Sequence, residues 1–395
     1  MLLANVVALS FLSGCTSVIQ EYEMARDLAL TDPGAAPDGW VPDASIQLSK
    51  GLIDDLLTQT MQPPPVFDGE INMGLAVLTP ALTLETLKLG PSLGCEECLE
   101  IELGLGGDIA WAAPLVGSGA AGVKVGGRID AKLDISKVEN GYAISVVPYG
   151  MRDVGVTVLG KRAALDLTGP VVGWAQRTVL QQLPRIELTE IGTETAPVRG
   201  VRVSSSGEAV RFDLLTGARV PGALPTVMPY PTDGFQVDVS TESLLAIART
   251  EAFRGGAYTH GILVEPTRLE FEGDQFVIGI RMWRTTGRGW WRDYEVEGTW
   301  ALQDGELTMS PTKTYDRGHS RGAALADPLI ALGEGIIQKA IGNALDTTVP
   351  TRSELGTLNS ELVVTRAEAA GGILRVHGTL ERLPPSLNYV PGAPK

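Results

Sequence analysis

Gly318-His319-Ser320-Arg321-Gly322 spells out G-x-S-x-G, the pattern that presents a serine nucleophile on a sharp turn. That chemistry needs an apolar strand running into the serine and a helix leaving it. Here the approach, KTYDR, is polar and charged, and Pro328 sets the next helix start several residues late. A triad would also need an acid and then a histidine downstream, and the histidine available, His377, sits in a strand-like run. An esterase using Ser320 is therefore the weakest of the readings, and a protein that is not an enzyme is expected. Gly117-Ser118-Gly119-Ala120-Ala121-Gly122 matches G-x-G-x-x-G, but a dinucleotide site needs a helix after the glycines. The next residues, VKVGGRIDAKLDI, alternate like a strand, so a glycine-rich hairpin loop is expected and no cofactor.

RMWRTTGRGWWRDYE, residues 281–295, concentrates Trp283, Trp290 and Trp291 with Arg281, Arg284, Arg288 and Arg292. Thr285 to Gly289 reads as a hairpin tip between two strands. Two readings stand side by side. Trp with flanking Arg suits a membrane interface or an anionic headgroup, with Trp283, Trp290, Trp291, Arg284 and Arg288 as the contact residues. Alternatively, two edge strands stack Trp on Arg across the pair. Paired acids such as Glu96-Glu97 and Asp54-Asp55 show no partner pattern and read as solvated. His260, His319 and His377 have no ligand spacing, so no metal is expected.

The 395 residues carry a formal net charge of −15, which leaves no basic stripe to balance phosphates and argues against nucleic acid as a partner. Residues 1–14, MLLANVVALSFLSG, form an apolar run too short to span a bilayer. It ends in Leu12-Ser13-Gly14-Cys15, which resembles the lipobox of bacterial lipoproteins, although no Lys or Arg precedes the run. The resemblance implies a signal peptide over 1–15, acylation of Cys15, and a membrane partner reached through that acyl anchor. Thr16, where an aspartate would favour the inner membrane, implies the outer membrane and a place in the bacterial cell envelope, facing the periplasm or the surface. In an oxidising envelope Cys95 and Cys98 become candidates for a disulfide in a hairpin turn, with inert thiols and redox or metal chemistry as the other readings.

The remaining elements read in order. Residues 16–42 are rich in Pro, Gly, Ala and Asp in their later part and are expected to be a flexible tether. Ile46 and Leu48 alternate, Ser49 caps, and a helix runs to Pro63. Strands are expected at 70–78, 81–89, 99–111, 122–135 and 141–158, with a turn at Asn140-Gly141. A helix at 169–183 and strands at 200–203 and 209–215 close this half. After a Pro-rich join at 220–234 the order returns. Phe235, Val237 and Val239 alternate, Ser240 caps a helix, and strands are expected at 262–271, 276–284, 292–301 and 305–313. A long helix over 327–350 and two strands complete the second half. That helix has Asp327 at its cap and Pro328 at its first position, and it is apolar over half its circumference.

Three landmarks align the halves: IQLSKGLIDDLL with VDVSTESLLAIA, GPVVGWAQRTVLQQL with DPLIALGEGIIQKAI, and GVRV…AVRF with LVVT…ILRV. On this register Val172, Val179 and Leu183 stand opposite Ile330, Ile337 and Ile341. An internal repeat is the reading, with modules at 43–219 and 235–383 and a tail at 384–395. A capped helix, antiparallel strands, a long apolar helix and a closing hairpin, used twice, resembles the tubular lipid-binding superfamily, which includes the bactericidal/permeability-increasing and lipopolysaccharide-binding proteins. The resemblance covers roughly residues 43–385.

That resemblance implies an α+β fold of two modules, each a curved antiparallel sheet wrapped around a long amphipathic helix. It also implies a lipid or other amphiphile held in an apolar tunnel and passed on without covalent chemistry. Val172 and Val179 on the first helix and Gly333, Ile336, Ile337, Ala340 and Ile341 on the second are the candidate tunnel residues. The competing reading is a scaffolding envelope lipoprotein whose core is dry.

Overall fold

The computed structural model describes residues 17–382 apart from 33, 62, 91–97, 115–116, 140, 160–167, 184, 193–196, 207, 219–221, 226–230, 257–260, 288, 304–305, 321–351 and 355–359. The expected helix over 327–350 and the candidates Gly333, Ile336, Ile337, Ala340 and Ile341 lie outside the described residues. So do Cys15, Cys95, Arg288 and the tail. Cys98 is disulfide-bonded.

The described chain opens with α1 (Val18–Leu30), β1 (Ala44–Ser49) and α2 (Lys50–Thr60). Next come β2 (Val66–Asp68), β3 (Ile71–Asn72), β4 (Val77–Leu89), β5 (Cys98–Ala113), β6 (Gly117–Lys137) and β7 (Tyr142–Leu159). Helix α3 (Thr168–Gln182) and β8 (Ile186–Ile191) complete a sheet in the order β2-β4-β5-β6-β7-β8, with β3 beside β4. Register shifts at Leu84/Thr86, Gly126/Arg128 and Asp130/Ala131 bend these long strands. The sheet curls, and α3 touches β7 on one flank and β2 and β3 on the other. Fifteen residues give α3 a length of about 22 Å. Its buried stripe is Val171, Ala175, Val179 and Leu183, at i, i+4, i+8 and i+12, with Trp174 beside it.

Hairpin β9 (Val198–Ser205) and β10 (Ala209–Thr216) leads to β11 (Phe235–Ser240) and α4 (Thr241–Gly255). A four-stranded meander comes next: β12 (Ile262–Glu272), β13 (Gln275–Arg284), β14 (Trp290–Gln303) and β15 (Glu306–His319). The last strands are β16 (Arg352–Glu354), β17 (Ser360–Ala370) and β18 (Ile373–Arg382). A central sheet joins the halves in the order β16-β17-β18-β11-β1-β10-β9. At its middle β1 pairs antiparallel with β11, Ala44 opposite Val239 and Leu48 opposite Phe235. Ser49 and Ser240 both accept from the backbone N–H three residues on, at 3.3 and 3.2 Å. All pairings among the described strands are antiparallel, and sheet dominates over helix, as an α+β fold of curved sheets requires.

Several expectations need correction. β4 runs unbroken through Pro80, where two strands were expected. Pro80 pairs with Ile109 on one side, while its other edge falls between the short partners β3 and β2, so its missing N–H costs no ladder bond. The glycines at 117, 119 and 122 are not a loop but the first residues of β6, paired with β5 from Gly117↔Ala113 onward. Gly119 has no Cβ where the Trp111 ring lies, and a Cβ there would come within 2.4 Å of the ring.

Residues 18–30 are a helix, not a flexible tether. Ser17 and Gln20 form a capping box, and Val18, Tyr22, Ala25 and Ala29 pack against Phe253, Leu263 and Trp283. The stretch after α1 is held too. Arg199 donates to the carbonyls of Gly34 and Ala35 at 2.7 and 2.9 Å, and Trp40 lies over Gly200 with the Arg202 guanidinium 4.3 Å from its ring centre.

Candidate functional site

The inner face of the curled sheet is built by strand alternation. Successive rungs across β4, β5, β6 and β7 read Leu84–Leu105–Val125–Val156 and Leu82–Gly107–Val123–Val158. On β4, β5 and β6 these side chains are buried, but on β7 Val154, Val156 and Val158 are only half-buried. The apolar face therefore reaches water along β7. At the end of the sheet where β4 begins and β5 ends, it meets an open cleft of about 460 Å³ lined by Leu75, Ala76, Val77, Ala112, Ala113 and Pro114. Leu75 is 72% exposed and Leu159 46%, with Trp111 half-buried nearby in the strand pairing. Small residues line the cleft because β5 and β6 close on each other there through Ala112↔Ser118 and Ala113↔Gly117.

The opposite end of the same face is closed. Beneath α2, the side chains of Leu57, Leu89, Ile101, Val146 and Phe212 leave a gap of about 10 Å³, room for roughly one water molecule and no alkyl chain. Val179 is fully packed into the interior, whereas Val172 is half-buried, one position off the buried stripe. Val172 thus reaches partial exposure, and Val179 serves the core.

On the outer side, polar groups are paired. Arg152 bridges Asp130, at 2.8 Å, and the buried Glu100, and hydrogen bonding to Asp130 raises the guanidinium above its ordinary range. Lys124 meets Glu85 at 3.4 Å. The site offers apolar burial with these charged pairs kept outside, an arrangement that can take alkyl groups out of water.

The Trp/Arg segment forms the expected β13–β14 hairpin with its tip at Thr285–Gly289. Two of its tryptophans are buried and the third is half-buried. Trp283 is 1% exposed and its indole donates to Glu265; Trp290 is buried in the main core. Trp291, half-buried, donates to Glu21 of α1 at 3.1 Å. Arg281 lies over both Trp283 and Trp291, 5.3 and 4.4 Å from the ring centres, and binds Asp293 through two hydrogen bonds of 2.6 and 2.7 Å. That pair raises the Arg281 guanidinium above its ordinary range. Cross-strand stacking is thus found between Arg281 and Trp291, but on the two inner strands of the meander and not on edge strands, and Arg284 remains exposed at the tip. The element that sequence reasoning missed is α1, which covers this cluster; its signal was Ser17-x-x-Gln20, a capping box.

Ser320 spends its hydroxyl on the backbone of Trp291, accepting from N–H at 2.8 Å and donating to C=O at 3.3 Å. His377 lies on β18, paired with Gln236 and 3.6 Å from Glu368. Among the described residues no group of three His, Cys, Asp or Glu side chains is placed to hold a metal, and no helix is long and apolar enough to cross a membrane.

No protein-family model matches the chain, and no curated protein does. Solved structures are similar to it. The crystal structure of lipopolysaccharide binding protein is 13% identical, with 87% of this chain and 100% of that one covered and a TM-score of 0.34. The structure of P47 from Clostridium botulinum A2 is 10% identical, with 86% and 97% covered and a TM-score of 0.39.

Proposed function

We propose that this is a lipid-anchored protein of the bacterial cell envelope, held at the outer membrane through Cys15, that binds or passes an amphiphile on an apolar inner surface without covalent catalysis. The observation that carries this reading is the apolar inner face of the curled sheet, buried beneath α2 and half-exposed at Val154, Val156 and Val158 on β7. Each methylene moved from water onto that face contributes about 0.8 kcal/mol, so a chain of about ten carbons gains roughly 8 kcal/mol before ordering losses. Two tubular modules are the wider frame, supported by the matching strand, capped helix and closing hairpin on either side of the β1–β11 pair.

Solvent extraction of purified protein, followed by mass spectrometry, tests the reading: copurifying lipid is expected, and a protein that is empty both as isolated and after incubation with vesicles overturns it. One observation favours a second reading, a scaffolding lipoprotein with a dry core. The interior beneath α2 is filled to within about 10 Å³. The same extraction separates the two.

A further inference from the structure

The strap formed by α1 fixes where the body stands relative to its anchor. Its first residues lie against the β13–β14 hairpin: a Cβ on Gly289 would sit 3.4 Å from both Val18 and Ile19. Gly289 has φ +66, a left-handed conformation that favours glycine. Glu21, one turn further, accepts from Trp291, and Tyr22 meets Phe253 and Trp283 at ring distances of 5.8 and 5.9 Å. Toward its other end, Thr250 of α4 donates to the carbonyl of Ala29 at 3.1 Å. The helix is thus held at both ends, with the capping box at Ser17 already ordered.

Only Thr16 separates Cys15 from Ser17 in sequence. Two residues of extended chain reach about 7 Å, which matches the roughly 5–7 Å of headgroup layer outside the hydrocarbon of one leaflet. An acylated cysteine at the hydrocarbon boundary therefore leaves the start of α1, and the hairpin tip beside it, at headgroup depth. The exposed Arg284, whose Nε–H donates to Thr286 at 3.1 Å, offers a guanidinium to lipid phosphate at that tip. The other end of β13 lies far from the tip. At the β12–β13 turn Gly273 donates to Ala369 of the central sheet, and ten residues of strand separate that turn from the tip, a distance of about 34 Å.

We infer that the β13–β14 hairpin end, around Arg284 and Thr286, is the face of this protein that rests on the lipid surface, set there by the docked α1 helix. The inference rests on the reading of Cys15 as the acyl anchor. The test places one fluorophore on the full-length protein, at Thr286→Cys or at Gln275→Cys, in vesicles of phosphatidylethanolamine and phosphatidylglycerol carrying headgroup-level nitroxide quenchers. Both positions are exposed. The Thr286 label is expected to be quenched several-fold more than the Gln275 label. The mass of the N-terminal peptide is measured on the same samples. An unacylated Cys15 removes the anchor and with it both this inference and that part of the proposed function. An acylated Cys15 with equal or reversed quenching overturns the inference alone and leaves the anchor standing.

Discussion

The indole N–H of Trp283 donates to Glu265 at 2.8 Å, with both side chains almost entirely out of water. Arg249 donates to the other carboxylate oxygen. A buried carboxylate is tolerated here because an ion pair and an indole together replace its water. Replacing it strands the Trp283 N–H, so Glu265→Leu is expected to cost about 1–3 kcal/mol of stability, read as a lower urea midpoint. Arg249, about one third exposed, turns to solvent and adds little. An unchanged midpoint would contradict the role given to the pair.

Tyr22 is the aromatic by which α1 grips this cluster. Tyr22→Ala is expected to lose about 0.5–1.5 kcal/mol of aromatic contact on top of its burial. Because Trp283 and Phe253 sit directly beneath, tryptophan emission should shift to the red while the strands of the meander stay intact. Hydrogen exchange would then show loss of protection in residues 18–30 and little change in β13.

At the open side of the curled sheet, Val156 is half-exposed and points along the inner rung with Val125 and Leu105. Val156→Lys can keep its ammonium wet, so folding should survive. A bound alkyl chain would have to desolvate that charge, and every 1.4 kcal/mol of penalty is tenfold in affinity. Lipid recovered by extraction should fall by at least about tenfold, while the thermal midpoint moves little. Retained lipid would place the binding surface elsewhere.

Asp43 is fully buried where the halves meet, accepting from the Thr216 N–H and hydroxyl at 2.8 and 2.6 Å and from the Ser243 hydroxyl at 2.6 Å. Burial raises its carboxyl above the ordinary value despite those bonds. The folded state thus holds this proton more tightly than the unfolded chain. The site's contribution to stability is fully present below the unfolded value and is lost as pH rises through the folded one. Asp43→Asn removes that dependence. The stability of the variant relative to the parent should therefore improve as pH rises from acid to neutral, followed by urea denaturation at each pH. A constant difference would mean that Asp43 does not titrate in this window.

Local chemistry made parts of this fold readable. The Val138 N–H closes on the Gly141 carbonyl between β6 and β7, Ser49 and Ser240 cap their helices, and the chain reverses between β13 and β14 after Arg284, each near the residues that signal it. Orientation was harder. Whether Trp283 faced water depended on α1 lying over it and on Glu265 across the β12–β13 pair, neither of which is near it in sequence. The buried stripe of α3 begins at Val171 and not Val172, a rotation of one residue that only the wrapping sheet decides. α1 itself was legible in its capping box, but two of its four contact positions are alanines, so its apolar stripe is thin. The cleft beside Leu75 carried no local signal, since it arises where the ends of β3, β4, β5 and β6 converge.

The pairing of Ala44 with Val239 has a consequence for how the chain is made. β1 leaves the ribosome early, yet one of its edges stays uncovered until Val210 and its neighbours arrive, and the other until β11 has been synthesised. β11 in turn waits for β18, close to the last described residue. Assembly of the middle of the molecule is therefore a late event in synthesis, governed by contacts of long sequence separation and expected to be slow. An early strand with two open edges is the part of this protein most in need of a chaperone while the rest of the chain is still being translated.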